Sequence, residues 1–424
     1  MKRLVGIATA LGIASVASAT YRAGIDAAPT SKSAVQAVDS LESPAAPGSA
    51  QPSLAVGPNG KVHMSWLESA DSGFALRFAV FDGTRWSAPR TVRSGRDFFV
   101  NWADFPSMEV FPDGRIAAHW LQRTAGSSYA YGVRISQSRD GGASWSAPMT
   151  PHRDSSDNEH GFVTLWHEGS SLGAVWLDGR KFVKQAKSPQ GHASSEHSPT
   201  NEMMLIATML GPKGERGVEV PLDDRTCDCC QTTATMTANG PIVAYRNRSA
   251  EEIRDIYVVR RVSGKWTTPA VVNDDKWHIA ACPVNGPAIT AAGNRIALAW
   301  FTAANDSPRV KLAISTDGGA KFGPPIRIDE GNPAGRVDVE MLSDGSALVS
   351  WIERTGGEIA VVRARRVARD GTVGTPITIA TSSAARASGF PRMTIVGDKA
   401  MFAWTAPGRP STVRVARISL AGLK

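Results

Sequence analysis

A unit made of a short strand, a tight turn and a second short strand ending in an aromatic residue recurs along this chain from residue 51, at intervals of roughly 50 to 55 residues. The first copy reads Gln51-Pro52-Ser53-Leu54-Ala55-Val56-Gly57-Pro58-Asn59-Gly60-Lys61-Val62-His63-Met64-Ser65-Trp66. Further copies occupy residues 105–120, with Asp113-Gly114 at the turn and Trp120 at the end, residues 162–176, ending at Trp176, and residues 232–245, with Asn239-Gly240 and Tyr245. The last three occupy residues 287–300, 337–351 and 391–404, with Gly293-Asn294, Asp344-Gly345 and Gly397-Asp398 at the turns and Trp300, Trp351 and Trp404 at the ends. Asn-Gly or Asp-Gly between alternating apolar residues marks a hairpin, because such a turn needs positive φ. The period is that of propeller blades and not of helical solenoids, so the expected fold is an all-β propeller of four-stranded antiparallel blades. Seven copies imply seven blades, with six as the alternative.

A third strand and often a fourth follow each aromatic residue, as at residues 76–80 and 86–89. Between them two copies carry a sharper motif, Ser138-Arg139-Asp140-Gly141-Gly142-Ala143-Ser144-Trp145 and Ser315-Thr316-Asp317-Gly318-Gly319-Ala320-Lys321-Phe322. Worn versions stand at residues 81–86, 263–266 and 369–371. In such a turn Ser and Asp satisfy backbone amides, Gly supplies the left-handed position and the aromatic plugs the blade. The pattern resembles the Asp-box, or BNR repeat, of the sialidase (neuraminidase) superfamily, and in register with the hairpins the resemblance covers nearly all of the mature chain. The seventh copy has a third strand near residues 412–420 and then the chain ends. Residues near 35–41 are expected to supply its fourth strand, which would leave the ring without an open edge.

The N-terminus reads as a secretory signal peptide over residues 1–19: Met1-Lys2-Arg3, an apolar run over residues 4–16, then Ala17-Ser18-Ala19. Residues 20–48 read as a polar linker that holds at most one ring-closing strand, and residues 49–424 as the propeller. A periplasmic or secreted protein is expected, with no membrane span after cleavage. The formal net charge of +8 is spread without a Lys/Arg block and without interleaved aromatic residues, which argues against nucleic acid. A basic balance of this kind fits an acidic surface or substrate, with solubility alone the commoner reason for it, and the partners expected are an acidic glycan or a partner protein.

In a propeller the Asp-box turns share a face with the turns between first and second strands, so chemistry is expected on the opposite face. There the connections between blades carry residues 101–104, ending in Asp104, residues 157–160, including Glu159 and His160, then Cys227-Asp228-Cys229-Cys230, then His278 with Cys282, Arg336 and Arg386. Loops between second and third strands begin with Glu68, Arg123, Asp178 with Arg180, Arg246 with Arg248, and Glu353 with Arg354. The chain's four cysteines therefore fall on two segments that adjacent blades present side by side.

Three readings compete for them. Cys282 can bridge to one member of the cluster, but leftovers such as sequence neighbours or the two that flank Asp228 pair badly, since neighbouring Cα atoms about 3.8 Å apart suit a disulfide poorly. Soft thiolates, completed by imidazole, select Cu(I) or zinc. Copper is the first expectation and zinc the second, with Cys227, Cys229, Cys230, Cys282, His278, His192 and His197 as the ligand candidates. The third reading is a redox-active thiol pair tuned by Arg225 or His278. Met203, Met204 and Met209 read as core of a third strand and not as ligands.

The sialidase resemblance implies a further class, hydrolysis of an acidic glycoside, in which arginines grip a substrate carboxylate and an Asp serves as acid. The positions this implies are Arg180, Arg246 and Arg392 for the grip, Asp104 as acid and Glu159 as its partner. The chain departs from the family in lacking Phe-Arg-Ile-Pro in the first blade and any Tyr after Tyr257. A noncatalytic glycan- or protein-binding propeller is the remaining class. Arg246-Asn247-Arg248 and Glu251-Glu252-Ile253-Arg254-Asp255 read as a solvated surface network.

Overall fold

The structure, a computed structural model, describes residues 37–71, 73–126, 128–182 and 202–423. Seven antiparallel sheets follow one another along it, so the expected seven-bladed propeller forms and the six-bladed alternative is excluded. Blade one is built from Ser49–Val56, Val62–Ala70, Gly73–Phe81 and Arg90–Gly95, and blade two from Ser107–Val110, Ile116–Arg123 and Tyr131–Ser138. An extended segment bridging at Met149 to Ile135 stands in the fourth place of blade two. Blade three comprises His160–Glu168, Ser171–Asp178, Met203–Leu210 and Val220–Thr226, and blade four Thr233–Thr237, Gly240–Arg246 and Ile256–Val262 with the short outer strands Lys265–Trp266 and Ala270–Val271. Blade five holds Ala288–Ala292, Arg295–Thr302, Arg309–Ser315 and Ile326–Arg327, and blade six Pro333–Met341, Ala347–Gly356, Ile359–Val367 and Ile377–Ser383. Blade seven joins Arg392–Val396, Lys399–Ala406 and Thr412–Ser419 to the early strand Val38–Leu41. The helical elements among the described residues are two single 3-10 turns, and no helix there is long and apolar enough to cross a membrane.

The first strand of each blade touches that of the next, and the seventh touches the first, so the ring closes around an axial channel of about 740 Å³. Closure is made by Val38 lying opposite Ile418 and Leu41 opposite Val415, with Arg417 paired to Asp39 at 2.6 Å. The repeated aromatic residues explain the spacing of the hairpins. Each one shares a core cluster with residues of the preceding blade: Trp66 with Met401 and Val415, Trp120 with Leu67, Trp176 with Tyr131, Tyr245 with Leu205, Trp300 with Ala244, Trp351 with Leu312 and Trp404 with Val362. The core is thus a set of wedges between blades, each aromatic burying area worth roughly 4 to 6 kcal/mol.

Burying an indole leaves its N–H in need of an acceptor. Three blades solve this with a carboxylate two residues on: Trp66 Nε1 donates to Glu68 at 2.9 Å, Trp176 to Asp178 at 2.8 Å and Trp351 to Glu353 at 2.5 Å. The acidic residues that open these loops therefore belong to the fold.

Both sharp motif copies fold as the sequence implies. Ser138 Oγ accepts from Gly142 N at 2.7 Å, and Asp140 Oδ1 accepts from Ser144 N at 2.9 Å. In the second copy Ser315 accepts from Gly319 N at 2.9 Å and Asp317 from Lys321 N at 3.0 Å. Gly318 N bonds Asn294 O, which puts this motif beside the turn between the first and second strands of its own blade.

Candidate cysteine centre

The outer strand of blade three, Val220–Thr226, is tied to its blade by Thr226 Oγ1 donating to Met203 O, and Cys227 N then donates to Arg246 O at 3.0 Å. This turns the chain inward, and residues 227–231 run toward the first strand of blade four. Gln231 fixes the far end, its Nε2 donating to Ala103 O at 2.7 Å and its Oε1 accepting from Gly286 N at 3.0 Å. A side chain at 286 is impossible, since a Cβ there would lie 2.1 Å from Gln231 O. The two cysteine segments are thereby locked together, and Cys229 is disulfide-bonded to Cys282 with Cα atoms 6.1 Å apart, within the ordinary range.

Cys227 and Cys230 are free thiols, 0% and 2% exposed, whereas Cys229 and Cys282 are half-buried. The Cys227 and Cys229 sulfurs are 3.8 Å apart, and the Cys227, Cys229 and Cys230 sulfurs all lie within 4.8 Å of one another. Burial opposes ionisation of both thiols. For Cys227 that penalty is outweighed by a hydrogen bond from Cys230 and by the Arg254 guanidinium, so it is the acidic member, while burial and the Cys227 charge push Cys230 well up.

Arg254 is the residue that supplies this charge. Its Nη1 reaches Cys227 Sγ at 3.4 Å and Asp228 Oδ1 at 3.3 Å, and its Nη2 donates to Glu252 at 2.9 Å. Glu252 also accepts from Arg248 and is presented by a turn in which Ser249 Oγ accepts from Glu251 N and Ile253 N. Arg246 stands behind, donating to the carbonyls of Asn285, Arg254 and Phe301 and covering the Trp277 ring at 4.8 Å. Arg246, Arg248 and Arg254 are at most 2% exposed. The solvated network expected for this stretch is therefore corrected: Glu251 stays exposed, but the three arginines form a buried scaffold held by Glu252, by backbone carbonyls and by the cysteine segment. Arg225, expected to tune a thiol, instead faces Glu202 and Glu252 at 3.8 Å.

His278 is exposed, bridged to Ile253, and is not among the groups gathered at the sulfurs in the described residues. His192 and His197 lie outside the described residues. Of the glycosidase candidates, Asp104 and Arg392 both line the axial channel. Asp104, 2% exposed, accepts from Phe162 N at 2.8 Å and from the Tyr131 hydroxyl at 3.0 Å, and burial pushes its carboxyl up to about 7. Glu159 acts on Tyr131 through its charge. Arg180 already grips a carboxylate of the protein, donating from Nε and Nη2 to Asp178 at 2.7 Å each and from Nη1 to Glu219 at 3.0 Å. Arg246 serves the carbonyls just described, and Arg392 lies 3.5 Å from Asp338 in the axial channel.

Sequence reasoning missed Arg254, because its sequence neighbours Glu251, Glu252 and Asp255 read as an exposed charge run. The available signal was an arginine two residues from a strand start, facing a cysteine segment one blade connection away.

No family model and no curated protein matches the chain. Among solved structures, a protein of unknown function from Dyadobacter fermentans is similar at a TM-score of 0.51 and 15% identity, over 92% of this chain and 98% of that one. A point mutant of NanB sialidase from Streptococcus pneumoniae is similar at 0.47 and 9% identity, over 91% and 95%, and Trypanosoma rangeli sialidase at 0.48 and 14% identity, over 80% and 57%. At such identities what is shared with the Dyadobacter protein is the propeller itself.

Proposed function

We propose that the chain is an exported β-propeller whose cysteine centre is a thiol–disulfide redox site, exchanging two electrons with a thiol or disulfide of a partner protein. The observation that carries this reading is the free Cys227 sulfur 3.8 Å from Cys229, one sulfur of a disulfide whose two cysteines are both half-buried. A structural staple needs no free thiol beside it, and a guanidinium on Cys227 favours the thiolate that exchange requires. The test is equilibration of the native protein in glutathione buffers of graded ratio, followed by alkylation and mass counting. Thiols should pass reversibly from two to four per chain, with Cys229 and Cys282 changing together. A count that stays at two until the protein is denatured would make the disulfide a staple and overturn the reading.

A second reading, soft-metal binding, is favoured by the mutual 4.8 Å reach of Cys227, Cys229 and Cys230. Once Cys229 is reduced, three thiolates offer Cu(I) a soft trigonal set, with zinc the weaker fit. Reduced protein loaded with Cu(I) should retain about one ion per chain after desalting. Equal retention by a variant with Ser at 227, 229 and 230 would sink this reading.

A further inference from the structure

All four cysteines of the chain sit in one cluster, so every disulfide isomer this protein can form lies within it. The two layers of the cluster differ in access. Cys229 and Cys282 are half-buried, whereas Cys227 and Cys230 are at most 2% exposed. Cys227 and Cys230 are also three residues apart, the Cys-x-x-Cys spacing at which a small, unstrained disulfide ring closes. A buried dithiol with no path to a partner can change oxidation state only through the sulfurs above it.

We infer that Cys227 and Cys230 form a resolving pair that takes over the disulfide from Cys229–Cys282, so that the bond migrates between an outer and an inner position without any external oxidant. This rests on the redox reading above. In the first step Cys227 gives up its proton and the thiolate attacks Cys229 Sγ across 3.8 Å; the Cys227–Cys229 bond forms, the Cys229–Cys282 bond breaks, and Cys282 leaves as thiolate and takes that proton. In the second step Cys230 gives up its proton and attacks Cys227 Sγ; the Cys227–Cys230 bond forms and Cys229 leaves as thiolate and takes that proton. Two thiols and one disulfide are present before and after, so electrons and protons balance. Arg254, donating to Cys227 Sγ at 3.4 Å and to Asp228 at 3.3 Å, is a positioning residue that holds the attacking sulfur beside its target. The outcome is a store: a partner that oxidises the outer pair leaves its oxidising equivalents on a pair it cannot touch, and the outer thiols are regenerated.

The experiment uses oxidised full-length protein freed of all small thiols. Aliquots held at neutral pH are quenched in acid, denatured, alkylated and digested, and alkylated Cys282 is measured against total thiols. Alkylated Cys282 should rise to a plateau while the total stays at two per chain. The Cys227→Ser variant should show no alkylated Cys282, and Cys230→Ser should still show it, with Cys227–Cys229 as the linkage. Wild type in which Cys282 is never alkylated, or Cys227→Ser labelled as strongly as wild type, would overturn migration. Either result can coexist with a reversible glutathione titration, so failure of migration and failure of the redox reading are separable.

Discussion

Asp104 shows how burial turns an ordinary residue into a pH-dependent one. Its native carboxyl keeps its proton up to about pH 7, whereas in the unfolded chain it ionises near the usual Asp value of about 4. Between these values the native carboxyl holds a proton that the unfolded one has lost, so the contribution of Asp104 to stability falls as pH rises from about 4 to about 7 and levels off above. Asp104→Asn should remove that slope, gaining about 1 to 4 kcal/mol on wild type between pH 4 and pH 8 in urea titrations. A difference that does not change with pH would mean the carboxylate is ionised throughout. The carboxylates under the tryptophans act in the opposite way, as acceptors the core requires. Glu353 accepts from Trp351 Nε1 and from Asn332 N, and Glu353→Ala is expected to cost roughly 2 to 4 kcal/mol by chemical denaturation. Much of that cost should vanish when Trp351→Phe is the background, because the orphaned indole N–H is then gone. At this scale the sequence was a partial guide: acidic residues near loops are legible, but whether each faces solvent, an indole or a buried arginine depends on neighbours supplied by another blade.

The elements were more legible, since a hairpin is encoded locally. Turn glycines and the terminal aromatic marked each blade, and the Ser-x-Asp-x-Gly motif marked the outer turn of two of them. The two glycines of one such motif make different demands. Gly141 has φ +67° and open space around its missing side chain, whereas Gly142 has φ +87° and a Cβ there would lie 2.2 Å from the Phe78 ring of the previous blade. Gly141→Ala should therefore cost only the left-handed penalty, about 1 to 2 kcal/mol, and Gly142→Ala distinctly more, both read from urea midpoints. Equal costs would mean that the contact with Phe78 relaxes freely. What the hairpin pattern did not convey is the curtailed edge of blade two, where the bridge between Met149 and Ile135 stands in for a fourth strand. Nor did it convey the second disulfide partner, because Cys227, Cys229 and Cys230 are too close in sequence for spacing to choose among them.

At the scale of the whole molecule, the count of hairpins set the size of the ring, and the short chain left after the last one set how it closes. Val38–Leu41 completes blade seven, and Gly48 N and Ser49 Oγ are bonded to Ser411 O and Val413 N. Truncation through Leu41 should expose the edge of Thr412–Ser419, lowering the thermal midpoint and promoting association seen by light scattering. Unchanged melting would show that the remaining three strands of blade seven suffice. The meeting of the two cysteine segments follows from the same ring logic, since they lie on connections one blade apart. Its wiring to Arg254 was not, because that contact joins a loop between strands to a connection between blades.

The bond between Cys229 and Cys282 spans 53 residues of chain, from the approach to blade four to the approach to blade five. Pulled by its two ends, the oxidised molecule would keep blade four off the line of force, and its extended length should fall short of the reduced molecule's by roughly 190 Å, at about 3.6 Å for each of those 53 residues. Passing the disulfide to Cys227 and Cys230 would return that hidden length, so a sulfur exchange of a few ångströms becomes a mechanical switch that decides whether one blade of the ring bears load.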